Sequence, residues 1–112
     1  MKLKQWNDNM SDGCSVPEFL RVVLPLESPE AIAACRRHDH AYYLGGSKID
    51  RLRADLYFAL ALLDTDEREK AELYFAAVRT GGEPAFRQRG VSWAFGGEVF
   101  QYSDVPAEED ID

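Results

Sequence analysis

Tyr43-Leu44-Gly45-Gly46-Ser47-Lys48-Ile49-Asp50 carries the one strong break between two long helical patterns in this 112-residue chain. Upstream of it, Ser28-Pro29-Glu30 reads as a helix start, with Ser28 as N-cap, Pro29 in the first turn and an acid beside it. That helix is expected over about 29–44, ending where a glycine follows the last turn. Downstream, Ser47 caps a second helix over about 47–63, with Asp50 three residues on as a loose capping box. Ile49, Leu52, Leu56, Ala59, Leu60 and Leu63 recur there at helical spacing, and Asp55 reads as part of the same stripe. Two helices joined by so short a break fold back on each other as an antiparallel hairpin.

Further along, Asp64-Thr65-Asp66-Glu67 interrupts the pattern and opens a third helix over about 66–80. Its apolar face is Ala71, Tyr74, Phe75 and Val78, and Gly81-Gly82-Glu83-Pro84 ends it. Residues 85–102 hold Phe86, Trp93, Phe95, Phe100 and Tyr102, read as an irregular packing arm or a short hairpin around Gly96-Gly97. Before the hairpin, residues 7–16 are a polar, turn-rich loop, and Glu18 to Leu24 is a short amphipathic segment closed by Pro25. The expectation is a small all-α single domain over residues 1–103, with a separate tail over 104–112.

The tail explains the charge. Of the formal −7, five acids and no base fall in the last nine residues, leaving fifteen acids against thirteen bases elsewhere. The body is nearly neutral, and the tail is expected to be solvated and disordered. Apolar content of 46% supports a globular core. No basic stripe interleaved with aromatics points to nucleic acid. The longest apolar run, Leu56 to Leu63, is too short for a transmembrane segment. Met1 to Asn9 has no apolar h-region, so synthesis in the cytoplasm without a signal peptide is expected. Release by lysis or carriage in a virion would then be the routes outward.

The chemistry sits on the first long helix. Cys35, His38, Asp39 and Tyr42 stand at i, i+3, i+4 and i+7 and share a face. His38 and Asp55 each lie about eight residues from the centre of the Gly45-Gly46 break, so an antiparallel hairpin brings them level. An imidazole oriented by a desolvated carboxylate is equipped as a general base. The bland rival is an edge Asp55 pairing with Arg51 or Arg36. Asp12-Gly13-Cys14 is a tight turn offering a carboxylate and open carbonyls, the oxygen ligands calcium prefers. Cys14 and Cys35 suit either one disulfide or two thiols. With His38 or His40 they also suit zinc, although His38 and His40 point to different helix faces.

Asp12-Gly13-Cys14-Ser15, Pro17, Ala34-Cys35-x-x-His38-Asp39-x-x-Tyr42 and Ala54-Asp55 together resemble the phospholipase A2 superfamily. The likeness is to its small prokaryotic, bacterial and phage-type branch, and covers about residues 11–60. It implies hydrolysis of phospholipid acyl esters at a membrane or micelle surface, with Ca2+ as cofactor. It implies His38 as the base activating a water, Asp55 as the residue fixing its tautomer, and Tyr42 bonded to Asp55. Asp12, Asp39 and a carbonyl near Gly13 would hold calcium. A Cys14–Cys35 bridge would hold the Asp12 loop about one helical turn from His38. Val16, Phe19, Leu20, Val23 and Leu24 would either grip an acyl chain or form core. The competing reading is a catalytically inactive relative, such as a phage structural or accessory protein, in which the His38–Asp55 pair is a buried brace.

Overall fold

Capping on both sides of one short break builds the centre of the fold. Ser28 Oγ accepts from the Ala31 N–H at 3.2 Å. Ser47 Oγ accepts from the Asp50 N–H at 3.3 Å, while the Asp50 carboxylate accepts from the Ser47 N–H at 2.8 Å, a complete capping box. The computed structural model describes residues 18–86, 92–96 and 101–103, without the side chains at 18, 19 and 21. In chain order these hold α1 (Glu18–Val23), α2 (Pro29–Leu44), α3 (Lys48–Leu63) and α4 (Ala71–Gly81), with 3-10 turns at Arg68–Lys70 and Pro84–Phe86. There is no strand among the described residues. The architecture is a small all-α domain on the expected α2–α3 hairpin, and α4 packs against α3. The acidic tail lies outside the described residues.

Gly45 turns the hairpin. Its φ of 78° is the left-handed region, and its N–H donates to Ala41 O at 3.0 Å. A Cβ there would meet the Ala94 Cβ at 2.8 Å, so the arm leaves no room for a side chain. The arm also satisfies the carbonyls that end α2. Ala94 N–H donates to Tyr42 O at 2.8 Å and Gly96 N–H to Tyr43 O at 3.0 Å. Trp93 and Phe95 are buried against Tyr42, Tyr43 and Ala54. Residues 92–96 are thus a packing arm made of turns. The expected hairpin around Gly96-Gly97 falls partly on residues outside those described.

Two expectations need correction. The third helix begins at Ala71, not near 66. Thr65 Oγ1 accepts from the Glu67 N–H at 3.1 Å and donates to Leu62 O at 2.7 Å, holding a turn that competes with the helix. Glu67 instead reaches back to the start of α2, accepting from the N–H groups of Glu27 and Ser28 at 2.9 Å each.

The face of α3 is the second correction. Its buried residues are Arg51, Ala54, Asp55, Phe58 and Leu62. Ile49, Leu52, Leu56, Leu60 and Leu63 are exposed. Asp55 is therefore not on the leucine stripe but on the buried face, about 100° around the helix from the stripe's centre. The core that fixes this rotation joins Phe58 and Leu62 to Leu20, Ala31, Ala34, Cys35, Ala71, Tyr74 and Val78. Burying each of the large side chains stabilises by about 1.5–3 kcal/mol. Leu20 is core and Leu24 packs on it, while Val23 is exposed. Val16 and the Phe19 side chain lie outside the described residues.

Candidate active site

Level positions on α2 and α3 place His38 against Asp55. His38 Nε2 lies 2.7 Å from Asp55 Oδ1, with the side chains 1% and 0% exposed. Asp55 has two further donors. Tyr42 OH donates to Oδ1 at 2.8 Å, and Arg79 on α4 donates to Oδ2 at 2.7 Å. Facing His38 as an acceptor, Asp55 leaves the proton on Nε2 and the lone pair on Nδ1. Among the described residues, Nδ1 is buried without a hydrogen-bond partner. The imidazole is clasped by the rings of Tyr42 and Phe58, with centroids 4.5 and 4.6 Å away, which fixes its plane.

Burial, and then the negative charge of Asp55, push the Tyr42 phenol well above its ordinary value. Tyr42 is therefore a constant donor to Asp55 at any working pH. Its oxygen accepts in turn from Arg51 Nε at 3.0 Å. Arg51 is 1% exposed and spends its other donors on Glu83 at 2.9 Å, the Tyr102 hydroxyl at 2.8 Å, and the carbonyls of Val78 and Arg79. It ties the dyad to the end of α4 and to the arm. Its Nε is 3.9 Å from Asp55 Oδ2, so the expected rival pair exists only as a longer contact within the same cluster.

Sequence reading named Arg51 only as an edge partner of Asp55 and did not name Arg79. One signal for Arg51 was available. Once Asp55 is placed against His38, the residues four before it and three and seven after it must share the buried face: Arg51, Phe58 and Leu62. Arg79 had no such local signal.

A cavity of about 310 Å³ lies between α2 and α3 and is lined by His38. Its walls are apolar, including Ala34, Ala41, Ala54, Phe58 and Ala61, with exposed Arg37 and Tyr57 also lining it. The cleft thus sets the imidazole beside apolar walls.

Asp39 is buried on α2 next to His38. Asp12, Gly13 and Cys14 lie outside the described residues, so of the expected calcium ligands only Asp39 is seen. No group of three His, Cys, Asp or Glu residues able to hold a metal occurs among the described residues. Cys35 is 1% exposed and disulfide-bonded, and Cys14 is the only other cysteine in the sequence. A disulfide removes the thiolate that a zinc site would need.

No helix among the described residues is long and apolar enough to cross a membrane. Comparisons with protein-family models, with curated proteins and with solved structures find no match.

Proposed function

We propose that this protein hydrolyses phospholipid acyl esters in a calcium-dependent reaction, using a water activated by His38 and Asp55. The observation carrying the reading is the buried 2.7 Å His38–Asp55 hydrogen bond, with the imidazole lining an apolar cleft. His38 Nδ1 takes a proton from water as the water oxygen attacks the acyl carbonyl carbon. The same nitrogen then returns that proton to the glycerol oxygen as the ester bond breaks. Asp55 stabilises the imidazolium formed between these steps, and Tyr42 and Arg79 keep the carboxylate aimed. No nucleophilic serine is needed.

Asp39 is a hard oxygen donor and suits calcium, with Asp12 and a carbonyl near Gly13 as further ligands. Bound there, calcium would polarise the ester carbonyl and stabilise its developing negative charge. Two carboxylates make a weak site, on the order of 10⁻⁴–10⁻³ M, which fills outside a cell and not in its cytosol. The disulfide at Cys35 is consistent with work in an oxidising compartment.

The test is fatty-acid release from phospholipid micelles with and without millimolar calcium. Release is expected with calcium only, and His38→Asn should lower it by about 10²–10⁴-fold while preserving the helical circular dichroism. A His38→Asn enzyme keeping more than a tenth of wild-type activity removes His38 as base. The second reading is favoured by the closure of the site: Asp55 binds α2, α3 and α4 together and is fully buried. If wild type releases no fatty acid at any calcium concentration, the pair is a brace in a catalytically inactive protein.

A further inference from the structure

We propose that the outward face of α3 is the contact surface of a two-fold dimer, in which α3 packs antiparallel against α3 of a second copy of this chain. Ile49, Leu52, Leu56, Leu60 and Leu63 are 51%, 36%, 43%, 59% and 50% exposed. Single exposed leucines are ordinary, but these five form one continuous stripe on one helix. A helix of 16 residues extends about 24 Å, and this stripe runs nearly its whole length.

The spacing selects the occupant. Successive stripe residues are 3, 4, 4 and 3 positions apart, a pattern symmetric about Leu56. A two-fold interface requires such self-complementarity, since residue i meets j wherever j meets i. Laid antiparallel, Leu56 meets its own copy, Leu52 meets Leu60, and Ile49 meets Leu63. Steps of three and four also keep all five side chains on one side of the helix, as a helix-packing face requires.

Charge points the same way. Exposed Lys48 stands at the amino end of the stripe, where the Asp50 carboxylate is taken up by Ser47, and exposed Asp64 and Asp66 outnumber exposed Arg68 past its carboxyl end. Antiparallel packing sets the basic end of one copy beside the acidic end of the other and opposes the helix dipoles. Parallel packing would set like charges together. An anionic lipid surface would meet the acids at one end unfavourably, whereas a second copy complements both ends.

Sedimentation equilibrium of the full chain at about 100 µM populates a dimer of that affinity or tighter. The expected mass is twice the 12.7 kDa of one chain. Leu56→Glu places two carboxylates on the two-fold axis and should weaken association at least about tenfold, with circular dichroism unchanged. Leu73→Glu, an exposed apolar residue on α4, should leave the dimer intact. Under mild oxidation Leu56→Cys should crosslink to itself, while Leu63→Cys should crosslink only when mixed with Ile49→Cys. Self-crosslinking of Leu63→Cys overturns the antiparallel register. A wild-type monomer, or a dimer that Leu56→Glu leaves intact, overturns the interface. If a monomeric wild type binds phosphatidylcholine vesicles and Leu56→Glu does not, the face belongs to lipid.

Discussion

The inward and outward faces of α3 differ in a way that reverses the usual order of a helix in water. Inward lie Arg51 and Asp55, 1% and 0% exposed, among Ala54, Phe58 and Leu62. Outward lie Ile49, Leu52, Leu56, Leu60 and Leu63. The inward charges are tolerable because each has fixed partners: Asp55 takes three donors, and Arg51 gives to five acceptors. Such a network stabilises little beyond what an apolar core would, but it fixes one arrangement of α2, α3, α4 and the arm. The outward leucines belong to neither buried cluster among the described residues. The inner face is thus specified by chemistry, and the outer face by association.

The sharpest way to break that contrast is to remove the acceptor at the centre of the inner face. Asp55→Ala leaves the buried His38 Nε2 donor unmet, takes the short acceptor from Tyr42 and Arg79, and leaves the buried Arg51 cation with Glu83 alone as counter-charge. A loss of roughly 3–5 kcal/mol is expected in urea unfolding. A loss below about 1 kcal/mol would mean that the cluster is rebuilt by water, and the inner face would no longer be specified by Asp55.

Much of this was legible in the sequence, and the illegible parts have one cause. Ser28-Pro29, Gly45 and the Ser47–Asp50 box act locally, so the hairpin and its level His38–Asp55 pair follow from short-range chemistry. The rotation of α3 does not. Its strongest apolar periodicity is the outward one, so reading by hydrophobicity alone turns the helix around. The partners that make Arg51 a core residue, Glu83 and Tyr102, come from 32 and 51 residues away. No local pattern announces them. The late start of α4 was hidden for the same reason, because Glu67 answers to Glu27 and Ser28, about 40 residues upstream.

Closure of the inner face also depends on the clamp where α3 ends, and pH tests it. Burial would raise the Glu67 carboxyl, but hydrogen bonds from Lys70 and from the Ser28 and Glu27 backbone outweigh this and hold it at about 2. Its ordinary value is 4.5. A folded-state value below the unfolded one means that its stabilisation is present above about pH 4.5 and is lost as pH falls toward 2. Glu67→Gln should be less stable than wild type near pH 6 by about 1.5–3 kcal/mol, the worth of hydrogen bonds to a charged group. The two proteins should converge as the pH falls toward 2. A gap that stays constant over that range would assign the effect to packing.

The smallest effect should come from the outer face. Leu56→Ala removes about as much side chain as Leu62→Ala, so the two differ only in where α3 points them. Leu62 is fully buried between α3 and α4, and a core leucine truncated to alanine loses about 2–5 kcal/mol. Leu56 is 43% exposed, and its truncation should change unfolding by no more than about 0.5 kcal/mol. This requires unfolding in dilute protein, because at high concentration association adds to apparent stability by mass action. Wild type should then gain stability with concentration while Leu56→Ala gains less. If both variants lose equally in dilute protein, Leu56 is covered within one chain, and the contrast between the two faces of α3 falls.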